Sequence, residues 1–396
     1  MQESSSERDY QTTAPASVAI LAPTWGSPSE TFIRDHIGSL QRYRPVVLTW
    51  KVLNSSIPPE APLYHPFACW NAMRALGALQ VRLRLPWRSH WRLLAQPCRR
   101  HQACLLHVHF ADAASEALTI ANAVGIPLVL SCHGTDVFVD MQHPPLANLR
   151  KRIFAGVSRI IVHSDAVRNR LVEYGADPAK ITKLHLGIDP AKFTPSFGDS
   201  SGPVRVLCIA RFVGFKGHRF LLPAFQQALQ QYPDMQLVLI GDGPLRPQVE
   251  QQVDQLGLRS AVQFLGALTG QAVLDELARA HIFALPSVTC PDGSREGFGV
   301  VFLEAQAMAK PVIGSRCGGI PEAIADGETG FLVEERDSAA LAEKLVLLAQ
   351  DPDLRARLGT AGRLRIQNHF NIYKQAALLE EMYSEIIAAH QQGSRA

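Results

Sequence analysis

Long apolar runs are missing from this 396-residue chain. With no stretch of about eighteen apolar residues, a membrane-spanning helix is not expected. The segment 1–14 is polar, carries Glu3, Glu7 and Asp9, and has no apolar core, which argues against a secretory signal. Cysteine is sparse: there are seven, none in a C-x-x-C spacing, and one is left over from any pairing. Reduced thiols in the cytoplasm are the simplest reading. A G-x-S-x-G elbow and a P-loop are both missing, which argues against an α/β-hydrolase and a P-loop kinase. Short internal repeats and low-complexity segments are missing too.

Negative charge is absent between Glu60 and Asp112, where Arg74, Arg82, Arg84, Arg88, Arg92, Arg99 and Arg100 all fall. These seven positives, set against a chain total of +3, leave the remainder at a net −4. Trp87, Trp91, Leu83, Leu85, Leu93 and Leu94 are interleaved with them. A basic, Trp-bearing amphipathic stretch over 74–100 suits an anionic bilayer, each cation contributing about 1 kcal/mol near the surface. A solvated basic face, or arginines paired with acids elsewhere in the fold, explains the same pattern. Nucleic acid is not an expected partner, because no nucleic-acid motif accompanies the charge.

Apolar, β-branched runs alternate with helical periodicity, the pattern of parallel sheets covered by helices. Strands are expected at Val18–Pro23, Val46–Trp50, Leu105–Phe110, Pro127–Cys132, Arg159–His163 and Ile181–Leu186. A second set is expected at Arg205–Arg211, Gln236–Gly241, Val262–Leu265, Ile282–Pro286, Pro311–Gly314 and Phe331–Val333. The turn-rich stretch 194–203 reads as a linker. The expected division is a polar start (1–14), a first α/β domain (15–195), a second (204–370) and a terminal helical segment (371–396). Doubly wound sheets bind ligands beyond the carboxyl ends of their strands, so two facing domains would enclose a cleft.

The segment Glu296-Gly-Phe-Gly-Val-Val-Phe-Leu-Glu304 sets two carboxylates around a short loop leading into a helix start. Free backbone N–H groups there suit an anion, and the acids can accept hydrogen bonds from hydroxyls. Arg211 falls at a strand's carboxyl end and Lys216 in the loop after it, where two fixed cations could meet a diphosphate. Either cation could instead satisfy nearby carbonyls. Gly297-Phe298-Gly299 does not open a dinucleotide fingerprint, because Phe302 stands where a third small residue is needed. Asp351-Pro-Asp353 spells D-x-D but reads better as a cap and first helical turn. His107 and His109, at i and i+2 on a strand, could be metal ligands; with no third ligand evident, structural or pocket-lining roles fit better.

Taken together, Arg211, Lys216-Gly217, Gly241-Asp-Gly-Pro244, Phe264-Leu265-Gly266, Leu285-Pro-Ser287, the Glu296–Glu304 segment and Gly319-Ile-Pro-Glu322 resemble the family 4 retaining glycosyltransferases. The resemblance covers Val204 to about Gln367. In the first half, Ser29-Glu30-Thr31-Phe32-Ile33 resembles a segment of members that build exopolysaccharides of the colanic-acid type, and His107-Val-His109-Phe110, His133-Gly-Thr-Asp136 and Gly187-Ile-Asp189 with Phe193 follow it. This likeness implies a GT-B architecture, two Rossmann-like domains facing a central cleft, with the terminal helix crossing back to the first domain. It implies that Arg211 and Lys216, with Gly217, grip a donor diphosphate, and that the Gly297-Phe298-Gly299-Val300 backbone meets sugar and phosphates. It further implies that Glu296 holds sugar hydroxyls, Glu304 holds the ribose, and Leu265 lies where the base is recognised.

His133 is implied to sit near the reacting sugar. Ser29, Glu30, Thr31, His109 and Asp136 are acceptor-side candidates, although short Ser- and Asp-rich loops also arise as turns and caps. The implied reaction is retaining transfer from a nucleotide-diphosphate sugar to a glycan or lipid-linked oligosaccharide, at the inner face of the cytoplasmic membrane, with no metal or other cofactor required. A nucleotide-sugar epimerase and a non-catalytic sugar-nucleotide binder remain as alternatives.

Overall fold

Alternation of side chains along each strand sends its apolar residues to both faces of a sheet, and helices then cover both faces. In the computed structural model, which describes residues 15–27, 30–54, 61–65, 90–197 and 202–393, this happens twice. The first sheet has seven parallel strands in the order Leu63–Tyr64, Arg44–Leu48, Ser17–Leu21, Ala103–His109, Leu128–Cys132, Arg159–Val162, Ile181–Lys183. Ala19, Leu21, Val46 and Leu106 fill the core on one face, and Val18, Ile20, Val47 and Leu105 the core on the other. The second sheet has six, ordered Val262–Gly266, Met235–Ile240, Val204–Ile209, Ile282–Leu285, Val312–Ser315, Gly330–Val333.

In both sheets the strand order reverses beside the first strand of the domain. Loops on either side of that point diverge and leave a crevice. In the first domain the crevice lies between the loops after Ser17–Leu21 and Ala103–His109. In the second it lies between those after Val204–Ile209 and Ile282–Leu285. Every expected strand is present within a few residues. Thr24–Trp25, Lys51–Val52 and Leu63–Tyr64 were not foreseen, because two-residue strands show no alternation.

The boundary between domains differs from the expected one. Ile188 and Phe193 pack into the second domain's core, so the chain leaves the first core before Ile188 rather than at 195. Helix Ile372–Gly393 returns to the first domain, where Leu379, Met382, Tyr383 and Ile386 join the core against Val18 and Ile20. Glu380 fixes it there by accepting the backbone N–H groups of Gln41, Arg42 and Tyr43 at 2.9, 2.7 and 3.2 Å.

Most of the basic stretch, and segment 1–14, lie outside the described residues. Its described end is helix His90–Arg100, whose Leu94, Ala95 and Cys98 are buried in the first core while Leu93 is exposed. That apolar face is therefore occupied by the protein itself. Among the described residues no helix is long and apolar enough to cross a membrane.

Candidate active site

Strand Val204–Ile209 pairs with Met235–Ile240 on one side and Ile282–Leu285 on the other, so the loop carrying Arg211 leaves the sheet at the crevice. That loop is clamped by the turn after Ile240: Ala210 N–H bonds to Ile240 O and Phe212 N–H to Asp242 O, both at 2.9 Å. Arg211 itself is exposed. The short turn Gly214–Lys216 follows and ends at Gly217, with φ +72°. A Cβ on Gly217 would overlap the Pro286 carbonyl, so only glycine lets the loop close against the next strand.

Closing that loop brings Lys216 onto the second half of the site. Its Nζ lies 2.6 Å from Glu296 Oε2, and Ser287 Oγ donates to the same oxygen at 3.4 Å. Both charged side chains are largely buried, at 14% and 11% exposure. Glu296 leads into helix Val300–Ala307, whose first N–H groups follow Gly299. Phe298 turns away to stack on His185 and pack beside Phe370. Glu304 is half-buried on the same helix. Loss of solvent pushes its carboxyl up to about 7, with the Asp35 carboxylate of the first domain adding to the effect. Leu265 is half-buried, against the second domain's core.

The first domain supplies the opposing wall. Its Glu30 senses Arg211: burial raises the Glu30 pKa, the Ser27 hydrogen bond lowers it, Asp112 raises it and Arg211 lowers it. Thr31 is exposed at the start of helix Thr31–Ser39, and Ser29 lies outside the described residues. Phe110 holds φ +68°, an outlier for an aromatic residue, and its ring packs 4.6 Å from that of His133.

Two acceptor-side expectations meet a different geometry. Asp136 is buried and takes the capping alternative: its carboxylate accepts the N–H groups of Ala111, His133 and Gly134 at 3.1, 3.0 and 2.8 Å. Burial raises its pKa to about 6 in spite of those bonds. His109 is buried behind His133, joined to it at 3.0 Å, because its strand runs inside the sheet. His133 spends both ring nitrogens on other histidines, Nε2 on His109 and Nδ1 on His163. Burial holds the pKa of His107, His109 and His133 well below the usual imidazole value. Asp351 caps the helix that follows it, accepting Leu354 N–H at 2.8 Å.

The walls touch directly. Ser164 Oγ donates to Gly297 O at 2.8 Å, and a Cβ on Gly297 would overlap the His133 carbonyl. Beside this contact, Glu322 reaches across from the second domain. It accepts Asp165 N–H at 2.6 Å and lies 2.9 Å from both Lys183 Nζ and His185 Nε2. Burial raises the Glu322 pKa, but the bonds from His185, Asp165 and Lys183 outweigh it and hold the group at about 2. Glu322 closes the Gly319–Glu322 motif, which gives no sign of this role, and His163, Ser164 and His36 are not among the expected site residues. His163 and Ser164 had a usable signal, since both directly follow a strand's carboxyl end.

Two doubly wound domains whose switch-point crevices face one another define the GT-B architecture. Residues 192–365 match the glycosyl transferases group 1 family and residues 55–192 match Glycosyltransferase Family 4. The chain is 33% identical over 277 residues to a GDP-mannose-dependent monoacylated alpha-(1-6)-phosphatidylinositol monomannoside mannosyltransferase of Corynebacterium glutamicum, covering 66% of this chain and 71% of that one. It is 30% identical over 284 residues to the amylovoran biosynthesis glycosyltransferase AmsK of Erwinia amylovora, covering 70% and 69%. In fold it is similar to Anabaena HepE in complex with UDP, with a TM-score of 0.74 at 20% identity, over 93% of this chain and all of that one. The chain belongs to the family 4 glycosyltransferases, and it is a transferase enzyme.

Proposed function

We propose that this enzyme moves a hexose from a nucleoside diphosphate sugar to a glycan or lipid-linked oligosaccharide, retaining the configuration of the anomeric carbon. The observation carrying this reading is the buried Lys216–Glu296 pair beside the start of helix Val300–Ala307. A diphosphate arriving at that helix end would draw Lys216 toward phosphate. Glu296, released, would then accept hydrogen bonds from sugar hydroxyls. Exchange of partners keeps both charges compensated throughout, which a buried pair requires.

In the transfer step the bond from the anomeric carbon to the phosphate oxygen breaks on the face where the acceptor oxygen attacks. The acceptor's proton passes to the departing phosphate oxygen, whose charge Arg211 and Lys216 stabilise. No metal is needed in this scheme, because the two cations meet the diphosphate. Relatives that act on phosphatidylinositol mannosides and in amylovoran synthesis support a lipid-linked or polysaccharide acceptor. Work at the inner face of the cytoplasmic membrane follows from such an acceptor rather than from the arginine-rich stretch, whose described end buries its apolar face in the first core.

The test is to incubate the protein with a panel of nucleotide sugars and membrane-derived acceptors, follow nucleotide release, and read the product's anomeric configuration by NMR. Release that is acceptor-dependent, with an α-linked product from an α-linked donor, is the expected result. An inverted product, or turnover unaffected by Arg211→Ala and Glu296→Ala, would overturn it.

A further inference from the structure

In the first domain, strand Ala103–His109 and helix Thr31–Ser39 bring three imidazoles together. His107 and His109 project from one face of the strand, with ring centroids 4.6 Å apart. The His36 ring centroid lies 5.5 Å from each of them. One ring nitrogen from each residue lies within 4.8 Å of the other two.

Hydrogen bonding around the trio fixes where the protons are. The Leu184 carbonyl can only accept, so His163 Nδ1 must donate to it at 2.7 Å. A neutral imidazole has one donor and one acceptor. His163 Nε2 therefore accepts from His133 Nδ1 at 3.1 Å, and His133 Nε2 accepts from His109 Nδ1 at 3.0 Å. A single carbonyl thus orders three rings, and the chain ends on a bare lone pair at His109 Nε2. That atom is buried without a hydrogen-bond partner, and so is His36 Nε2. His107 has Nδ1 against Tyr383 Oη at 2.5 Å and Nε2 against Ser131 Oγ at 2.7 Å.

We infer that His36, His107 and His109 form a binding site for a divalent transition-metal ion of the zinc type, held through their Nε2 atoms. The Nδ1 atoms of His107 and His109 are both anchored on a second partner, which is how ligating histidines are ordinarily oriented. Neutral imidazoles without a carboxylate select zinc, cobalt, nickel or copper over magnesium and calcium. Tetrahedral coordination with Zn–N bonds of about 2.0–2.1 Å needs nitrogens about 3.4 Å apart, so the rings close in by about an ångström on binding. The Ser131 hydroxyl gives up its bond to His107. It, or a water from the adjoining cavity of about 50 Å³, takes the fourth position. The site lies in the first domain, apart from the second domain's Arg211 and Lys216. Its role is to tie the strand under His133 to the terminal helix through Tyr383.

The experiment uses the full chain, purified without a histidine tag, stripped with a chelator and titrated with cobalt(II) chloride. One equivalent of cobalt should bind with the intense visible bands of a tetrahedral centre, and one equivalent of zinc should displace it. His36→Gln should abolish those bands. Tyr383→Phe should weaken zinc affinity by about 10–100-fold with unchanged stoichiometry. His390→Gln, on the exposed end of the terminal helix, should leave binding as in the wild type. If His36→Gln does not fold, the wild-type cobalt spectrum and the Tyr383→Phe affinity decide the matter. A wild-type protein without tetrahedral cobalt bands, or bands indifferent to His36→Gln, would overturn the assignment.

Discussion

Lys216 and Glu296 are 80 residues apart in sequence and 2.6 Å apart in the fold, each the other's buried counter-ion. Removing one partner strands the second charge away from water, which costs about 3–5 kcal/mol where a buried pair is broken. Lys216→Met is therefore expected to lower unfolding free energy by about 3 kcal/mol in the absence of donor. Lys216→Met with Glu296→Gln should recover much of that stability while remaining inactive. Urea denaturation of the single and double variants checks the coupling, and kcat/KM should fall by about 100-fold or more in both.

Glu304 carries a stability penalty that donor binding would convert into affinity. Its folded pKa of about 7 lies above the ordinary 4.5, so the penalty is absent at pH 4, grows through the interval between them, and is complete above 7. Glu304→Gln should raise the melting temperature at pH 8 and leave it nearly unchanged at pH 4. Donor affinity should fall by about 10–100-fold, the loss of a hydrogen bond to a charged group. Thermal scans across pH and calorimetric titration of the nucleotide separate the two effects.

Glu322 works in the opposite sense. Its folded pKa of about 2 lies below 4.5, so its contribution is complete above pH 4.5 and is lost as pH falls through 2. Glu322→Gln should destabilise the docked domains by about 1–3 kcal/mol at pH 7. The gap between wild type and variant should narrow as pH falls below about 4.5 and the carboxylate is protonated. Denaturant titrations at pH 7 and pH 3.5, with small-angle scattering to report domain separation, measure it.

Glu380 anchors the terminal helix through three backbone N–H groups in the turn Gln41–Tyr43. Glu380→Ala leaves those donors without their acceptor and should cost about 2–4 kcal/mol. Hydrogen exchange should speed up first at Gln41, Arg42 and Tyr43, and at helix Ile372–Gly393. An exchange increase confined to the second domain would contradict this account.

The sheets and the loops that carry chemistry are legible along the chain alone. Strand periodicity is local, so Val204–Ile209 and Ala103–His109 could be read from runs of a few residues. The order of Arg211, Lys216, Glu296 and Glu304 identified the family for the same reason, because each motif is contiguous. Tertiary structure decided which of these groups meet. Nothing near Lys216 in the chain announces Glu296, and nothing near His107 announces His36, which arrives on a separate helix. Asp136 looked like a cleft residue until its carboxylate closed on three backbone N–H groups, and Phe193 fell within the expected first domain yet enters the second core. Glu322 lies 157 residues from the Asp165 N–H it accepts. Local patterns reflect backbone geometry, which each segment carries with it. Pairings over such separations depend on how two domains pack, and that packing is set by the whole apolar surface at once.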